Sequence, residues 1–187
     1  GALARVTEAR LRADALGWPP LIAAARLREG TLAVTTGDYA AAEEALRAAY
    51  FTAARADAWE SAADAANALV LTVGYRLARH VEGRAWADHA ALAIERAGDP
   101  GQLREAERIE HLGVIDLTNG DLAPAREQLE RALILRRETL GEDHPVVATT
   151  LNRLGAVRTS LGDYAGARQF FEKSRAIRER VLGPEHP

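Results

Sequence analysis

Residues 140–164 read LGEDHPVVATTLNRLGAVRTSLGDY, and two parts of this stretch occur elsewhere at one fixed distance. LGEDHP at 140–145 recurs as LGPEHP at 182–187, and GDL at 120–122 recurs as GDY at 162–164, both at an offset of 42 residues. Self-similarity at a period of 20–50 residues is typical of architectures that stack one supersecondary unit on the next. The chain is therefore predicted to be a repeat protein.

Columns of small and large residues keep the same register. GDY at 37–39 lies 83 residues, or two periods, before GDL at 120–122. The turn expected between them falls at Ala78-Arg79-His80, where the Gly-Asp motif is absent. Seven residues before each turn stands one matching column, namely Gly30, Leu71, Gly113 and Gly155. After each turn come two columns of small residues, namely Ala42, Gly83, Ala125 and Ala167, and Ala49, Ala90, Ala132 and Ser174. Between these two lies a mostly larger, apolar column, namely Leu46, Ala87, Leu129 and Phe171. Small side chains at fixed helical positions allow neighbouring helices to approach closely.

Turn chemistry places helices on both sides of each turn. Asp38, Asp121 and Asp163 follow a glycine and precede an apolar-periodic run, as helix N-caps do. Pro145 follows His144 and suits the first turn of a helix, where a missing N–H costs nothing. The sequence predicts an all-α solenoid of about nine helices, at 3–16, 20–36, 38–54, 58–77, 79–97, 101–119, 121–139, 144–161 and 163–181.

We expect a single array over residues 1–187. Its parts would be the second helix of a truncated repeat at 1–18, ended by Trp18-Pro19-Pro20, repeats at 19–56, 57–98, 99–140 and 141–182, and the start of another at 183–187. The chain contains no Met, and both ends look cut. We therefore expect a fragment of a longer protein that continues beyond Pro187.

These columns resemble the tetratricopeptide repeat, and the 42-residue period with LGxxHP resembles its longer form in kinesin light chains. The resemblance implies a right-handed superhelix of antiparallel helix pairs. A narrower resemblance is carried by Ala49-Tyr50-Phe51, by 73–79 (VGYRLAR), and by Glu82-Gly83 with Trp86-Ala87. It is to the repeat region that follows the kinase domain of some large bacterial serine/threonine protein kinases. It implies a regulatory or partner-docking region without catalytic residues of its own.

In this family the first helix of each repeat lines a concave groove that binds a protein or peptide. Transferring those positions gives Thr72, Tyr75, Arg76, Glu107, Glu110, Thr118, Thr149, Asn152 and Thr159. Glu107 and Glu110 would favour a ligand with basic or amide groups, or form a solvated helix face. Asn152 occupies a position of the family's carboxylate clamp, yet it could equally join two helices. No lysine is available for such a clamp, because Lys173 is the only one and lies on a second helix.

Composition and motifs favour no other class of function. The formal charge of −3, with 27% charged residues, gives no indication of a nucleic-acid or membrane partner. No Cys is present, and the five histidines form no metal motif, so we predict no cofactor, metal or catalytic site. His111 with Glu107 and Glu110 could hold a weak metal, but groove polarity or a salt bridge is the favoured interpretation. Arg136, Arg137 and the arginines of 175–180 are predicted to form a basic stripe on second helices.

The leading hypothesis is a non-catalytic docking scaffold in a larger bacterial signalling protein, such as a serine/threonine protein kinase. The alternative is a peptide- or effector-sensing module of a bacterial transcriptional regulator. A third is a structural solenoid that self-associates through its ends. The longest apolar stretch, 68–75, is far shorter than the roughly 20 residues of a membrane span. We expect a soluble cytoplasmic fragment, monomeric or weakly dimeric end to end.

Overall fold

Helices make up nearly all of the computed structural model, which describes residues 2–183. The described residues contain no strand. Their α-helices are α1 (Ala2–Leu16), α2 (Pro19–Thr36), α3 (Tyr39–Arg55), α4 (Trp59–Leu69), α5 (His80–Ala97), α6 (Leu103–Asn119), α7 (Leu122–Leu140), α8 (Pro145–Ser160) and α9 (Tyr164–Leu182). A π-helical segment, Val70–Arg76, continues α4. The second copy of LGxxHP begins at Leu182, and its last four residues, with the rest of the repeat start predicted there, lie outside the described residues.

The chain divides into two compact units between Asp99 and Pro100. The N-terminal unit contains α1–α5, with α2 packed on α3, and α4 with the π-helical segment packed on α5. The C-terminal unit contains α6–α9, with α6 packed on α7 and α8 on α9. Each of these four pairs is an antiparallel hairpin closed by a short turn, so the predicted alternation of first and second helices is present in both units.

Side chains at the turns cap the helices. Asp38 accepts a hydrogen bond from the Ala41 N–H at 3.1 Å, and Asp163 accepts one from the Gly166 N–H at 2.9 Å. Asp121 has the N-cap position of α7 but accepts instead from the side-chain amide of Asn119, at 2.7 Å. The His144 Nδ1 accepts from the Val146 N–H at 3.2 Å, so the histidine of the LGxxHP turn caps α8.

The glycine column marks where paired helices approach most closely. A methyl group on Gly155 would lie 2.5 Å from the Phe171 ring, and one on Gly30 would lie 2.6 Å from the Leu46 Cγ. The glycine of the first helix thus faces the large residue of the second. In 57–98 the sequence exchanges these sizes, because Leu71 stands in the glycine column and Ala87 in the large column.

The end of α4 differs from the prediction of one helix over 58–77. The Leu77 N–H donates to the Thr72 carbonyl at 3.0 Å, a bond that reaches back five residues, and the segment closes through Ala78 at a φ of +54°. A π turn holds more residues than an α turn. The regular α-helix predicted over 58–77 therefore gives way to a wider turn before Ala78.

Aromatic side chains join α3 to α5, the second helices of the N-terminal unit. The ring of Trp86 meets that of Tyr50 edge to face, with centroids 5.4 Å apart, and the Tyr50 hydroxyl lies 3.1 Å from the His89 Nδ1. Burial raises the pKa of Tyr50. Beside these rings, Arg79 donates two hydrogen bonds to Glu43, each 2.8 Å long.

Candidate functional site

In the N-terminal unit, the predicted groove presents an arginine held between two tyrosines. Tyr75 and Arg76 end the π-helical segment, and both side chains are exposed. The Arg76 guanidinium lies 4.9 Å from the ring centroid of Tyr75 and 5.7 Å from that of Tyr39, at the start of α3. Arg76 makes no ion pair among the described residues, so its donors are available to a ligand while the rings restrict its orientation.

Thr72, predicted to line the same groove, is buried. Its side chain is 1% exposed, and its carbonyl accepts the π-helical bond from Leu77. Its neighbours Leu69 and Val73 are fully buried as well, so Thr72 faces the hairpin interior while Tyr75 and Arg76 are exposed. Thr72 therefore supports the segment and offers no surface to a partner.

In the C-terminal unit, the predicted groove residues of α6 and α8 present oxygen acceptors. Thr118, Asn152 and Thr159 are exposed, and Thr149 and Glu107 are half-buried. Three of these residues, Thr118, Thr149 and Thr159, donate their hydroxyl protons to carbonyls one turn earlier in their own helices. A hydroxyl that already donates still has a lone pair free. Together with the Asn152 amide, this surface suits a ligand rich in N–H donors.

Glu110 is not a groove residue, contrary to the prediction that it is exposed. It is 2% exposed, and its two oxygens lie 2.5 Å from the Arg136 Nη1 and 2.6 Å from the Arg153 Nη1. Arg136 is itself buried and also donates to the Thr150 hydroxyl at 2.6 Å. A carboxylate can be buried here because two guanidinium groups, from α7 and α8, compensate its desolvation.

The same ion pair corrects the predicted basic stripe, since Arg136 is 5% exposed and faces the interior of the unit. A local signal could have revealed the burial of Glu110. Ala106, Gly113 and Val114 lie one turn before and after it on α6, and all three are buried. Its two arginine partners are 26 and 43 residues further along the chain, at distances that no spacing rule connects.

Asn152 is exposed. Within the part of the chain that the structure describes, it makes no hydrogen bond that would join two helices. His111 is buried at 5% exposure, on the same helix as the ion-paired Glu110. No group of three or more His, Cys, Asp or Glu side chains that could hold a metal ion occurs within residues 2–183.

Comparison with known proteins agrees with this architecture. Residues 105–180 match the tetratricopeptide repeat family. The matched segment lies within the C-terminal unit, which contains the LGxxHP turn at 140–145, the capped starts of α8 and α9 and the contact of Gly155 with Phe171. Tetratricopeptide repeats generally mediate protein–protein interactions, and their fold is a non-catalytic scaffold type.

The fold of the chain is also that of a solved structure. The chain is similar to the crystal structure of BtubC (BKLC) from P. vanneervenii, with a TM-score of 0.73 and 24% sequence identity over 97% of this chain and 73% of that chain. The predicted all-α solenoid of antiparallel helix pairs is thereby confirmed. No curated protein matches the chain. Within residues 2–183, every helix is too short or too polar to cross a membrane.

Proposed function

We propose that this chain is the partner-docking region of a larger bacterial signalling protein, in which the first helices of its tetratricopeptide repeats bind a protein segment. The observation that carries the proposal is Arg76, an exposed guanidinium that rests on Tyr75 and Tyr39 without a carboxylate partner among the described residues. An unpaired cation that is already held in one orientation loses less conformational entropy when a ligand binds. Such preorganised side chains are typical of recognition surfaces.

The C-terminal unit supports the proposal through a different chemistry. Its first helices, α6 and α8, present threonine oxygens and the Asn152 amide. The partner is therefore proposed to offer backbone or side-chain N–H groups to this unit. Glu107 and Glu110 together had suggested a preference for a basic ligand. Only Glu107 still supports that preference, because Glu110 is neutralised by Arg136 and Arg153.

The signalling context comes from the resemblance of 49–51, 73–79 and 82–87 to the repeats of bacterial serine/threonine protein kinases. Several of these residues have contacts that explain the motif. Tyr50 and Trp86 join α3 to α5, and Arg79 pairs with both Glu43 and Glu82. We propose a cytoplasmic docking region on this basis. A DNA-binding helix-turn-helix encoded in the flanking sequence would favour a transcriptional regulator instead.

Quantitative affinity capture from the native lysate tests the groove. The wild-type chain is compared with the double variant Tyr75→Ala/Arg76→Ala and with Arg55→Ala, which removes an exposed arginine from the second helix α3. We expect a partner that the wild type and Arg55→Ala retain equally and that the double variant loses. If the double variant retained the same proteins, the first helices of the N-terminal unit would not be the docking surface.

A further inference from the structure

Arg76, the exposed arginine of the predicted groove, lies against aromatic rings instead of a charged partner. Its guanidinium is 4.9 Å from the ring centroid of Tyr75 and 5.7 Å from that of Tyr39. Within residues 2–183 it forms neither an ion pair nor a hydrogen bond. The rings attract its charge but are poor hydrogen-bond acceptors, so its N–H donors are open to an acceptor from outside the chain.

Arg79, three residues later, shows the contact that Arg76 lacks. It donates two parallel hydrogen bonds of 2.8 Å to the two oxygens of Glu43, and further ones to Glu82. The planar guanidinium fits a carboxylate in this two-pronged way, and such pairs are stronger than hydrogen bonds between neutral groups. Arg76 has the same planar group but pairs with no carboxylate of the described residues, so a partner can supply one.

The rest of the groove surface in the N-terminal unit is uncharged. Its other positions that reach the surface, assigned in the same register on α2 and α4, are Ala24, Leu27, Thr31, Val34, Thr35 and Ala68. Thr31 and Thr35 donate their hydroxyl protons to carbonyls of their own helix, so each retains a lone pair for an N–H group of a ligand. The charge of Arg76 therefore decides which ligand group this surface prefers.

One guanidinium compensates the charge of a carboxylate better than that of a phosphate. A carboxylate carries a single negative charge, whereas a phosphate monoester carries roughly −1.5 to −2 at neutral pH. Arg28, the other exposed arginine on a first helix of this unit, stands two turns before Thr35, about 10 Å away along α2. Arg28 is not among the groove positions, so no second groove cation balances a phosphate bound at Arg76.

We propose that Arg76 binds the side-chain carboxylate of an aspartate or glutamate in an extended, otherwise largely apolar segment of the partner protein. This rests on the proposed function, since it names the group that the first helices of the N-terminal unit recognise. The uncharged neighbours favour apolar side chains on either side of the acidic residue. The threonine oxygens accept backbone N–H groups, which an extended segment leaves free. A terminal carboxylate is not required, in contrast to the carboxylate clamp of the family.

Titration of the full chain with blocked peptides, followed by NMR of backbone amides, tests the proposal. The probes are acetyl-Gly-Leu-Glu-Leu-Gly-amide, whose only charge is the side-chain carboxylate, and the same peptide with glutamine or phosphoserine at the central position. We expect saturable shifts at Tyr39, Tyr75 and Arg76 from the glutamate peptide, and a dissociation constant about threefold or more higher for the glutamine peptide. Equal affinities for these two peptides, saturation by the phosphoserine peptide alone, or no saturable shift from any of the three would overturn the proposal.

Variants of Arg76 locate the preference for the carboxylate. Arg76→Gln should bind the glutamate and glutamine peptides alike, and Arg76→Lys should keep only part of the preference, because an ammonium group cannot donate two parallel N–H bonds. Arg28→Gln removes an exposed arginine of α2 outside the groove positions and should keep the full preference. Circular dichroism checks that the variants are folded. If folded Arg76→Gln still preferred the glutamate peptide, the carboxylate would bind elsewhere and the proposal would be wrong.

Affinity capture from the native lysate separates this inference from the docking function itself. If Tyr75→Ala/Arg76→Ala loses a partner while the wild type binds the glutamate and glutamine peptides alike, the docking surface stands and the inference about the carboxylate fails. If the double variant retains every partner while the wild type prefers the glutamate peptide, the docking proposal fails and the carboxylate site at Arg76 stands on its own.

Discussion

Glu110 shows how a charged residue can belong to the interior of a helical unit. Its carboxylate joins α6 to α7 through Arg136 and to α8 through Arg153, so it stabilises the packing of three helices. Reversing its charge, as in Glu110→Arg, would place a buried cation beside the guanidinium groups of Arg136 and Arg153. Such a variant would report on folding and not on partner binding.

Glu110→Gln should therefore destabilise the C-terminal unit by about 3–5 kcal/mol, because it removes the carboxylate that compensates the buried guanidinium of Arg136. The matched control is Glu127→Gln on α7, where the side chain is exposed and the expected change is within about 0.5 kcal/mol. Urea unfolding at neutral pH measures both. A loss of under 1 kcal/mol for Glu110→Gln would contradict the buried ion pair.

Ala78 has a backbone conformation that its side chain disfavours, with a φ of +54° at the turn where the other repeats have glycine. Ala78→Gly should relieve this strain and stabilise the N-terminal unit by about 0.5–1 kcal/mol. The same change at Ala85, exposed within α5, should destabilise it by about 0.5–1 kcal/mol. Thermal and urea unfolding give both signs; destabilisation by Ala78→Gly would show that the turn is not left-handed.

At the scale of the helix hairpin, close packing depends on the small residues of the second helix. Ala125 is fully buried on α7, and a methyl group on Gly113 would lie 3.3 Å from its carbonyl oxygen. Ala125→Leu should overpack the α6–α7 interface and cost about 1–3 kcal/mol. Ala123→Leu, exposed on the same helix, should change stability by no more than about 0.5 kcal/mol. A silent Ala125→Leu would mean that the repeat register is wrong.

The link between α3 and the start of α5 gives the N-terminal unit a predictable response to acid. Hydrogen bonds from Arg79 hold the pKa of Glu43 below 4.5, even though partial burial opposes this shift. The stabilisation is therefore complete above the unfolded-state pKa and is lost as pH falls through the lower pKa of the folded state.

Comparing wild type with Glu43→Gln by urea unfolding tests this link. Wild type should be more stable by about 1 kcal/mol at pH 7, and the difference should vanish below the folded-state pKa of Glu43. Arg168→Gln removes an exposed pair with Glu172 in the other unit and controls for general charge effects. A difference that did not depend on pH would show that the contact stabilises through packing alone.

At the scale of the whole chain, periodic sequence signals predicted the helices. Contacts between residues far apart in the sequence determined which predicted groove residues are exposed and which are buried. The glycine-aspartate turns and His144-Pro145 placed the helix starts to within two residues, because capping is local. The burial of Thr72 and the ion pairs of Glu110 depend on packing between helices. The sequence therefore identified Tyr75, Arg76 and Asn152 correctly as surface residues. It could not show that Thr72 and Glu110, which were assigned to the same groove, are buried. The division into four repeats stays a prediction.

The most direct measurement of the docking function is site-specific photo-crosslinking in native cells, with the crosslinking residue at Asn152 on the first helix α8 or at Arg131 on the second helix α7. Both positions are exposed, so neither probe is shielded by the fold. We expect one partner to be crosslinked reproducibly from Asn152 and not from Arg131. Crosslinks from Arg131 alone, or the same products from both positions, would contradict docking through the first helices.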